Sequence, residues 1–123
     1  MLKIRKRSGE EVLFDRSKIE RAIEKANASV SIPERLDRDI IAGIALSIEN
    51  ACSNMKTIPT VESVQDMVEY AIAKAGAYRL AKNYAVYRYQ HELMRKANTT
   101  DDKILAILHR SSADAKEKNS NKN

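Results

Sequence analysis

Hydrophobic residues alternate with charged ones at the start of the chain. Leu2 and Ile4 are separated by a single cation, and a Ser-Gly turn at Gly9 leads to a second short apolar stretch. A period of two indicates a β-strand, and a glycine at positive φ suits a hairpin turn. Residues 2–7 and 11–14 are therefore predicted to form two short strands with one apolar face and one cationic face.

After Phe14 the apolar residues recur at i, i+3, i+4 and i+7, which is the spacing of amphipathic helices. Pro33 suits the first turn of a helix, Thr60 is a good N-cap, and Gly76 is a good helix terminator. The four predicted helices cover approximately residues 15–26, 33–52, 60–75 and 77–96. Residues 56–58 could add a third strand. The predicted fold is α+β and mainly helical, with a small N-terminal β-hairpin or three-stranded sheet covering a four-helix bundle.

The start of the first helix has two alternative caps. Asp15 can cap the free backbone N–H groups while Phe14 packs on Ile19 as a staple. Ser17 can instead begin a capping box. Both alternatives place Lys18 in the first turn, where a cation opposes the helix dipole at a cost of roughly a few tenths of a kcal/mol. Either an anion sits beside Lys18, or this lysine is exposed without a partner.

The composition is typical of one soluble, helix-rich domain: 123 residues, 43% hydrophobic and 32% charged. No apolar run approaches the roughly 20 residues that cross a bilayer, and there is no signal-peptide pattern, so a cytoplasmic location is expected. The single cysteine, Cys52, cannot form an internal disulfide or a cysteine zinc cluster and is predicted to be buried filler. With only two histidines, no metal site is expected.

The net charge of +5 would suit a nucleic acid, because a basic patch gains affinity by releasing counterions from phosphates. Elsewhere, however, basic residues are interleaved with Glu and Asp, which is typical of solvated helix faces. The cations that precede any acid are Lys3, Arg5, Lys6 and Arg7. A basic strand, a glycine turn and Lys18 at a helix start favour an anion gripped on several sides, such as a nucleotide polyphosphate.

The fourth predicted helix carries four of the five tyrosines. Tyrosines more often pack in a core or at its rim than stack on a ligand. A stripe of aromatic and basic groups nevertheless runs along one side of this helix and could line a nucleotide pocket. Its members are Tyr84, Tyr87, Arg88 and His91.

The run IRKRSGEEVLFDRSKIERAI resembles the start of the ATP-cone domain, a nucleotide-sensing regulatory module at the N-terminus of ribonucleotide reductases. The family's pattern is a basic pair, an acidic or small residue, a glycine, a short gap, Phe-Asp and then Lys-Ile. The run VESVQDMVEYAIAKAGAYRLAKNYAVYRYQHELMR is similar to the domain's closing helices, so the resemblance covers about residues 2–96. The positions that match the pattern are Lys6, Arg7, Ser8, Gly9, Phe14, Asp15, Lys18 and Ile19.

The resemblance implies that ATP and dATP bind as allosteric ligands with Mg²⁺, ATP keeping the reductase active and dATP switching it off through a change of oligomeric state. The implied phosphate contacts are Lys6, Arg7 and Lys18, with Gly9 letting the backbone come close. The implied base and lining contacts are Val12, Asp15, Ile19, Val61, Val64 and Tyr87. The chain departs from the family pattern at Ser8, where Asp is usual, and at Gln90 or His91, where Lys or Arg often adds a further phosphate contact.

Residues 98–108 and 119–123 look like the junction into the catalytic domain of an anaerobic ribonucleoside-triphosphate reductase, which makes deoxyribonucleotides for DNA synthesis. This resemblance implies a regulatory domain at residues 1–96 and a partly disordered linker at 97–123 toward a catalytic domain outside the chain. Such an enzyme uses a glycyl radical and active-site cysteines, which one cysteine and three glycines cannot supply. No catalysis is therefore expected of the chain alone. Its expected partners are nucleotides, the catalytic domain and further copies of itself.

Two other functions are compatible with the sequence. One is a basic helical DNA-binding or transcriptional module, because ATP cones also occur in a repressor of reductase genes. In that repressor a cysteine zinc ribbon precedes the cone, whereas here the cone begins at the first residue and one cysteine cannot build the ribbon. The other is a helical interaction module with a vestigial pocket, since a fold does not fix function and the chain departs from the family pattern at Ser8 and His91.

Overall fold

The computed structural model describes the backbone of residues 1–115 and the side chains of residues 1–97. Two strands, β1 (Lys3–Arg5) and β2 (Glu11–Leu13), form an antiparallel sheet. The α-helices of the described residues are α1 (Arg16–Asn27), α2 (Arg38–Ser53), α3 (Val61–Lys74) and α4 (Tyr78–Ala115), with a 3-10 helix at Ile32–Glu34 before α2. The predicted class, α+β and mainly helical with a small N-terminal sheet, is confirmed.

The chain divides into two compact units, Met1–Arg88 and Tyr89–Asn123. The first contains the sheet, α1, α2, α3 and the first turns of α4, and the second contains the rest of α4. The sequence predicts that the fourth helix ends near residue 96, whereas α4 continues to Ala115. This prediction was wrong because neither glycine nor proline follows residue 76 to stop the helix. Residues 116–123, including the predicted junction at 119–123, lie outside the described residues.

The hairpin has the predicted alternation. Ile4 pairs with Val12 across the sheet, and both are half-buried while their strand neighbours are exposed. At the turn the Lys6 N–H donates to the Glu10 carbonyl at 2.8 Å, and the Gly9 N–H donates to the Lys6 carbonyl at 2.9 Å. Gly9 has φ 92°, so the turn uses the left-handed backbone that glycine adopts without a side-chain clash.

The sheet has two strands, and residues 56–58 do not add a third. The chain reaches β1 only after them, where the Arg5 N–H donates to the Pro59 carbonyl at 2.9 Å and Arg5 forms a single parallel bridge with Thr60. Pro59 has no N–H with which to extend a ladder, and Thr60 already turns into α3. A bridge therefore replaces the third strand.

Asp15 is the N-cap of α1, as the first of the two alternatives predicts. Its side chain accepts from the Ser17 N–H at 3.0 Å, so Ser17 lies inside the helix rather than capping it. The buried side chains of α1 are Ile19, Ile23 and Ala26, which follow the predicted spacing. The cap and the apolar stripe together fix where α1 begins and which face it buries.

The predicted start of the second α-helix at Pro33 was wrong. Pro33 lies in the short 3-10 helix, and α2 begins at Arg38. The Asn27 side chain holds the intervening chain extended, because its amide donates to the Leu36 carbonyl at 3.0 Å and its oxygen accepts from the Leu36 N–H at 2.9 Å. Leu36 is buried, so the chain reaches the core there before Asp37 starts the helix.

The ends of α3 follow the predicted signals. Thr60 and Ser63 form a capping box: the Ser63 N–H donates to Thr60 Oγ1, and the Thr60 N–H donates to Ser63 Oγ, each at 3.1 Å. Gly76 has φ 89° just after the helix, which is the usual conformation of a terminating glycine. The chain then enters α4 at Tyr78.

The core of the first unit lies between its helices. Among its most deeply buried side chains are Ile23, Val68, Ile72 and Leu80, and each such residue contributes roughly 1.5–3 kcal/mol by leaving water. Cys52 is 2% exposed, which confirms its predicted role as core filler, and burial raises the pKa of its thiol. No helix in the described part of the chain is both long and apolar enough to cross a membrane.

Candidate functional site

The β-hairpin lies against the first turn of α3. The backbone bond from Arg5 to Pro59 brings β1 to the start of the helix. Beyond the strand, Arg7 Nε lies 2.8 Å from Glu62 Oε2. The fold therefore brings the predicted phosphate contact Arg7 to the helix turn that also carries the predicted lining residue Val61.

The predicted lining residues differ in how much surface they offer. Ile19 and Val64 are buried in one hydrophobic cluster, which joins α1 to α3. Val12, Val61 and Tyr87 are half-buried. The half-buried side chains thus keep surface that a ligand could contact, whereas Ile19 and Val64 serve the core.

Three of the four cations of the hairpin segment have carboxylate partners. The pairs are Arg5 with Glu11 at 2.8 Å, Lys6 with Glu10 at 3.9 Å, and Arg7 with Glu62 at 2.8 Å. The predicted cationic face is exposed, because Lys3 and Arg5 lie on the side of β1 opposite Ile4, but several of the hairpin's cations lie beside acids. The two nearer acids follow the turn in the sequence, so the hairpin register could have indicated them. Glu62 is placed there only by tertiary structure.

Lys18 differs from the hairpin cations. It is the third residue of α1, its side chain is exposed, and it forms no salt bridge within the described residues. Both predicted caps, Asp15 and Ser17, place Lys18 in the first turn of α1. The structure agrees, and the ammonium group therefore lies at the positive end of the α1 dipole. An anion arriving there would meet an ammonium group that no carboxylate of the described chain neutralises through a salt bridge.

Asp15 lies at the same helix end and is already engaged. Its Oδ1 accepts from the Ser17 N–H at 3.0 Å and from the Ser17 hydroxyl at 2.6 Å. The hydroxyl bond is the main reason why the pKa of Asp15 lies below its ordinary value. Desolvation opposes it and is the next largest effect, and the backbone bond and the charges of Arg21 and Lys18 lower the pKa further. Both bonds end on Oδ1.

The α4 stripe divides into packing and contact residues. Tyr84 is 4% exposed, and burial raises the pKa of its hydroxyl to about 12, so the packing interpretation is confirmed for this tyrosine. Tyr87 is half-buried, as is Arg88. His91 is exposed and belongs to the second compact unit.

Arg88 joins α4 to α3, a role that its place in the predicted stripe did not indicate. Its Nη1 lies 2.7 Å from Asp66 Oδ1 and 3.2 Å from Glu69 Oε1, and its Nη2 lies 3.5 Å from the Glu62 carbonyl. Burial alone would lower the pKa of Arg88, but the hydrogen bonds and charges of Asp66 and Glu69 outweigh it and raise the pKa. The acids at i and i+3 on α3 were the only sequence signal for this contact.

Two open cavities lie elsewhere on the first unit. One, of about 430 Å³, lies along α3 and α4 and is lined by Asp66, Glu69, Tyr70, Ala73, Ala81 and Lys82. The other, of about 190 Å³, lies beside the chain's first residues and the segment before α3. Neither of these two cavities is lined by a predicted site residue. No group of His, Cys, Asp and Glu in the described residues is arranged to hold a metal ion.

Residues 2–93 match the family model of the ATP cone domain. A ribonucleoside-diphosphate reductase subunit alpha from Chlamydia muridarum is 31% identical over 112 residues, which are 85% of this chain and 11% of that protein. A vitamin B12-dependent ribonucleoside-diphosphate reductase from Mycobacterium tuberculosis is 33% identical over 95 residues, 77% of this chain and 13% of that protein. The chain thus spans only about a tenth of the length of these relatives.

Proposed function

The chain belongs to the ATP-cone family, and from that premise we propose that it is the regulatory nucleotide-binding domain of a ribonucleotide reductase. The observation that carries the proposal is the family match over residues 2–93, which includes the hairpin and the starts of α1 and α3. The domain has no chemistry of its own. It binds a nucleotide and thereby regulates the activity of a catalytic domain, which makes deoxyribonucleotides for DNA synthesis.

The ligands are ATP and dATP, with Mg²⁺ on the phosphates. Charge-assisted hydrogen bonds from several cations are strong, and a helix N-terminus adds partial positive charge for the same anion. The residues proposed to hold the phosphates are Lys6, Arg7 and Lys18, with Gly9 at the close backbone approach and His91 as a further contact. The residues proposed to meet the base and sugar are Val12, Asp15, Ile19, Val61, Val64 and Tyr87.

The regulatory outcome depends on one hydroxyl group. ATP and dATP differ only at the 2′ position, and a site that pairs a hydroxyl strongly disfavours the analogue that lacks it. Each nucleotide must also stabilise a different arrangement of the enzyme, because a ligand with equal affinity for two states shifts neither. We therefore assign activation to ATP and inhibition to dATP, the latter through self-association of the enzyme.

We further propose that the parent enzyme is an anaerobic ribonucleoside-triphosphate reductase. This finer assignment rests on the resemblance of residues 98–108 and 119–123 to the junction of that class. The relatives from Chlamydia and Mycobacterium are diphosphate reductases, and the latter is B12-dependent. These relatives support a ribonucleotide reductase as the parent enzyme. The proposal of the anaerobic class rests on the junction sequence alone.

Isothermal titration calorimetry of the 123-residue chain with MgATP and MgdATP tests the proposal directly. A K6A/R7A variant should lose at least about tenfold in affinity, because a hydrogen bond to a charged group contributes roughly 1.5–3 kcal/mol. An R79A/K82A variant removes the same charge from exposed positions of α4 and should bind as the parent does. The proposal fails if neither nucleotide binds below millimolar concentration.

A further inference from the structure

The contact between Arg7 and Glu62 is short, and both side chains are partly shielded from water. Arg7 Nε and Glu62 Oε2 are 2.8 Å apart, and the two side chains are 31% and 41% exposed. Glu62 is the second residue of α3, inside the capping box of Thr60 and Ser63. Its carbonyl also lies 3.5 Å from Arg88 Nη2. The backbone that carries this carboxylate is therefore fixed on both sides.

The helix itself favours an acid at this position. Carboxylates are stabilised near a helix N-terminus by the helix dipole, and Glu62 is the acid in the first turn of α3. The same turn is the place where a phosphate would gain from the backbone N–H groups. Glu62 thus occupies the helix end and the Arg7 guanidinium together, which are two of the features that a nucleotide phosphate would use.

We propose that Glu62 is a resident counter-anion of Arg7 which the nucleotide phosphates must displace, so that it sets the affinity of the site. This inference rests on the proposed function. The free energy that a phosphate gains from Arg7 is reduced by the contact with Glu62 that it replaces, and the displaced carboxylate still repels the ligand. The site is thereby restricted to ligands with enough negative charge to compete, which favours triphosphates over nucleosides.

The test compares E62Q with the parent chain in MgATP binding at low salt. Exposed ion pairs contribute roughly 0.2–1 kcal/mol, so E62Q should lower the Kd about 1.5- to 5-fold. The gain should shrink as added salt screens the charges. It should also appear with inorganic triphosphate and be absent with adenosine, which has no phosphate to compete for Arg7.

Glu49 supplies the matched control. Its Oε1 lies 3.0 Å from Arg16 Nη1, so E49Q breaks a similar pair and changes the net charge equally, at a contact that does not include Arg7. Its Kd for MgATP should equal that of the parent. An equal gain in E49Q and E62Q would overturn the inference, because the effect would then follow net charge alone.

Further variants locate the effect at Arg7. In an R7Q background, adding E62Q should give no gain, and a gain that persists there would contradict competition for Arg7. E62D keeps the acid at the helix start but shortens its reach, so it should also bind more tightly than the parent, and it replaces E62Q if that variant does not fold. Equal or weaker binding by both variants, beside a parent that binds, overturns the inference alone. Absence of binding by every form defeats the proposed function as well.

Discussion

Asp15 combines a capping role with a proposed role in the site. It caps α1 through bonds from Ser17 that end on Oδ1, and it is also one of the residues proposed to meet the nucleotide. Because these bonds favour the ionised carboxyl, the pKa in the folded chain lies below the ordinary value. Folding therefore gains stability from Asp15 at pH values above the ordinary pKa, and loses it as the pH falls through the lower folded value.

This linkage predicts a pH-dependent difference between the parent and D15N. Asparagine is also a good cap, so D15N keeps the bond from the Ser17 N–H and removes the charge. The parent should melt at the higher temperature at pH 7, and the two melting curves should converge below about pH 4 as the carboxyl becomes protonated. D37N is the control, because Asp37 caps α2 without a side-chain capping bond. A difference that is as large at about pH 2 as at pH 7 would show that the charge of Asp15 is not its cause.

At this scale the sequence predicted the residues that act locally. Asp15, Gly9 and Thr60 function through neighbours within four residues, and capping and turn preferences identify such residues. Arg7 was identified as a candidate, but its partner Glu62 is brought close by the packing of the hairpin on α3. A spacing rule along one element contains no information about such a pair.

The segment between α1 and α2 shows how one side chain can override a helix signal. Pro33 suited a helix start, yet two hydrogen bonds between the Asn27 side chain and the Leu36 backbone hold Leu36 in an extended chain. The propensity of one proline is small beside a buried leucine with both backbone groups satisfied. The element was therefore predictable from its apolar period, but its first residue was not.

The two hydrogen bonds between Asn27 and Leu36 predict a substantial loss of stability in N27A. The variant leaves the N–H and carbonyl of Leu36 without these partners in a partly buried place, which costs about 1–3 kcal/mol. Urea unfolding should show a lower midpoint with an unchanged slope. N83A is the comparison, because Asn83 makes a single exposed bond to Ser29 and should lose much less. Equal losses of stability in N27A and N83A would mean that the bonds between Asn27 and Leu36 do not order this segment.

The contacts of Arg88 with α3 predict a separate loss of stability when this arginine is replaced. R88M removes the hydrogen bonds to Asp66 and Glu69 and should lower the free energy of unfolding by about 1–3 kcal/mol. R88K should fall between R88M and the parent, because lysine keeps the charge but lacks the planar fork. R79M, at an exposed position of the same helix, should have little effect. If R88M unfolds as the parent does, this contact is one of the many ion pairs that contribute nothing measurable.

At the scale of the whole molecule, the pairing of charges bears on the alternative functions. The net charge of +5 favours a polyanion only where the cations are available, and three of the four hairpin cations are paired with Glu10, Glu11 and Glu62. A long nucleic acid would have to break several of these pairs. A triphosphate needs fewer contacts, and Lys18 is exposed at the start of α1. The arrangement thus favours a small, highly charged ligand over DNA.

Regulation by the proposed domain requires that ATP and dATP have different effects on its self-association. Sedimentation velocity of the 123-residue chain, at saturating MgATP and then at saturating MgdATP, measures this without the catalytic domain. We expect dATP to raise the average mass and ATP to leave it lower, because only differential affinity for the associated state shifts that equilibrium. K6A/R7A should remove the difference between the nucleotides. Two identical distributions from a chain that binds both nucleotides would place the discrimination outside this chain and contradict the proposal that the domain self-associates in response to dATP.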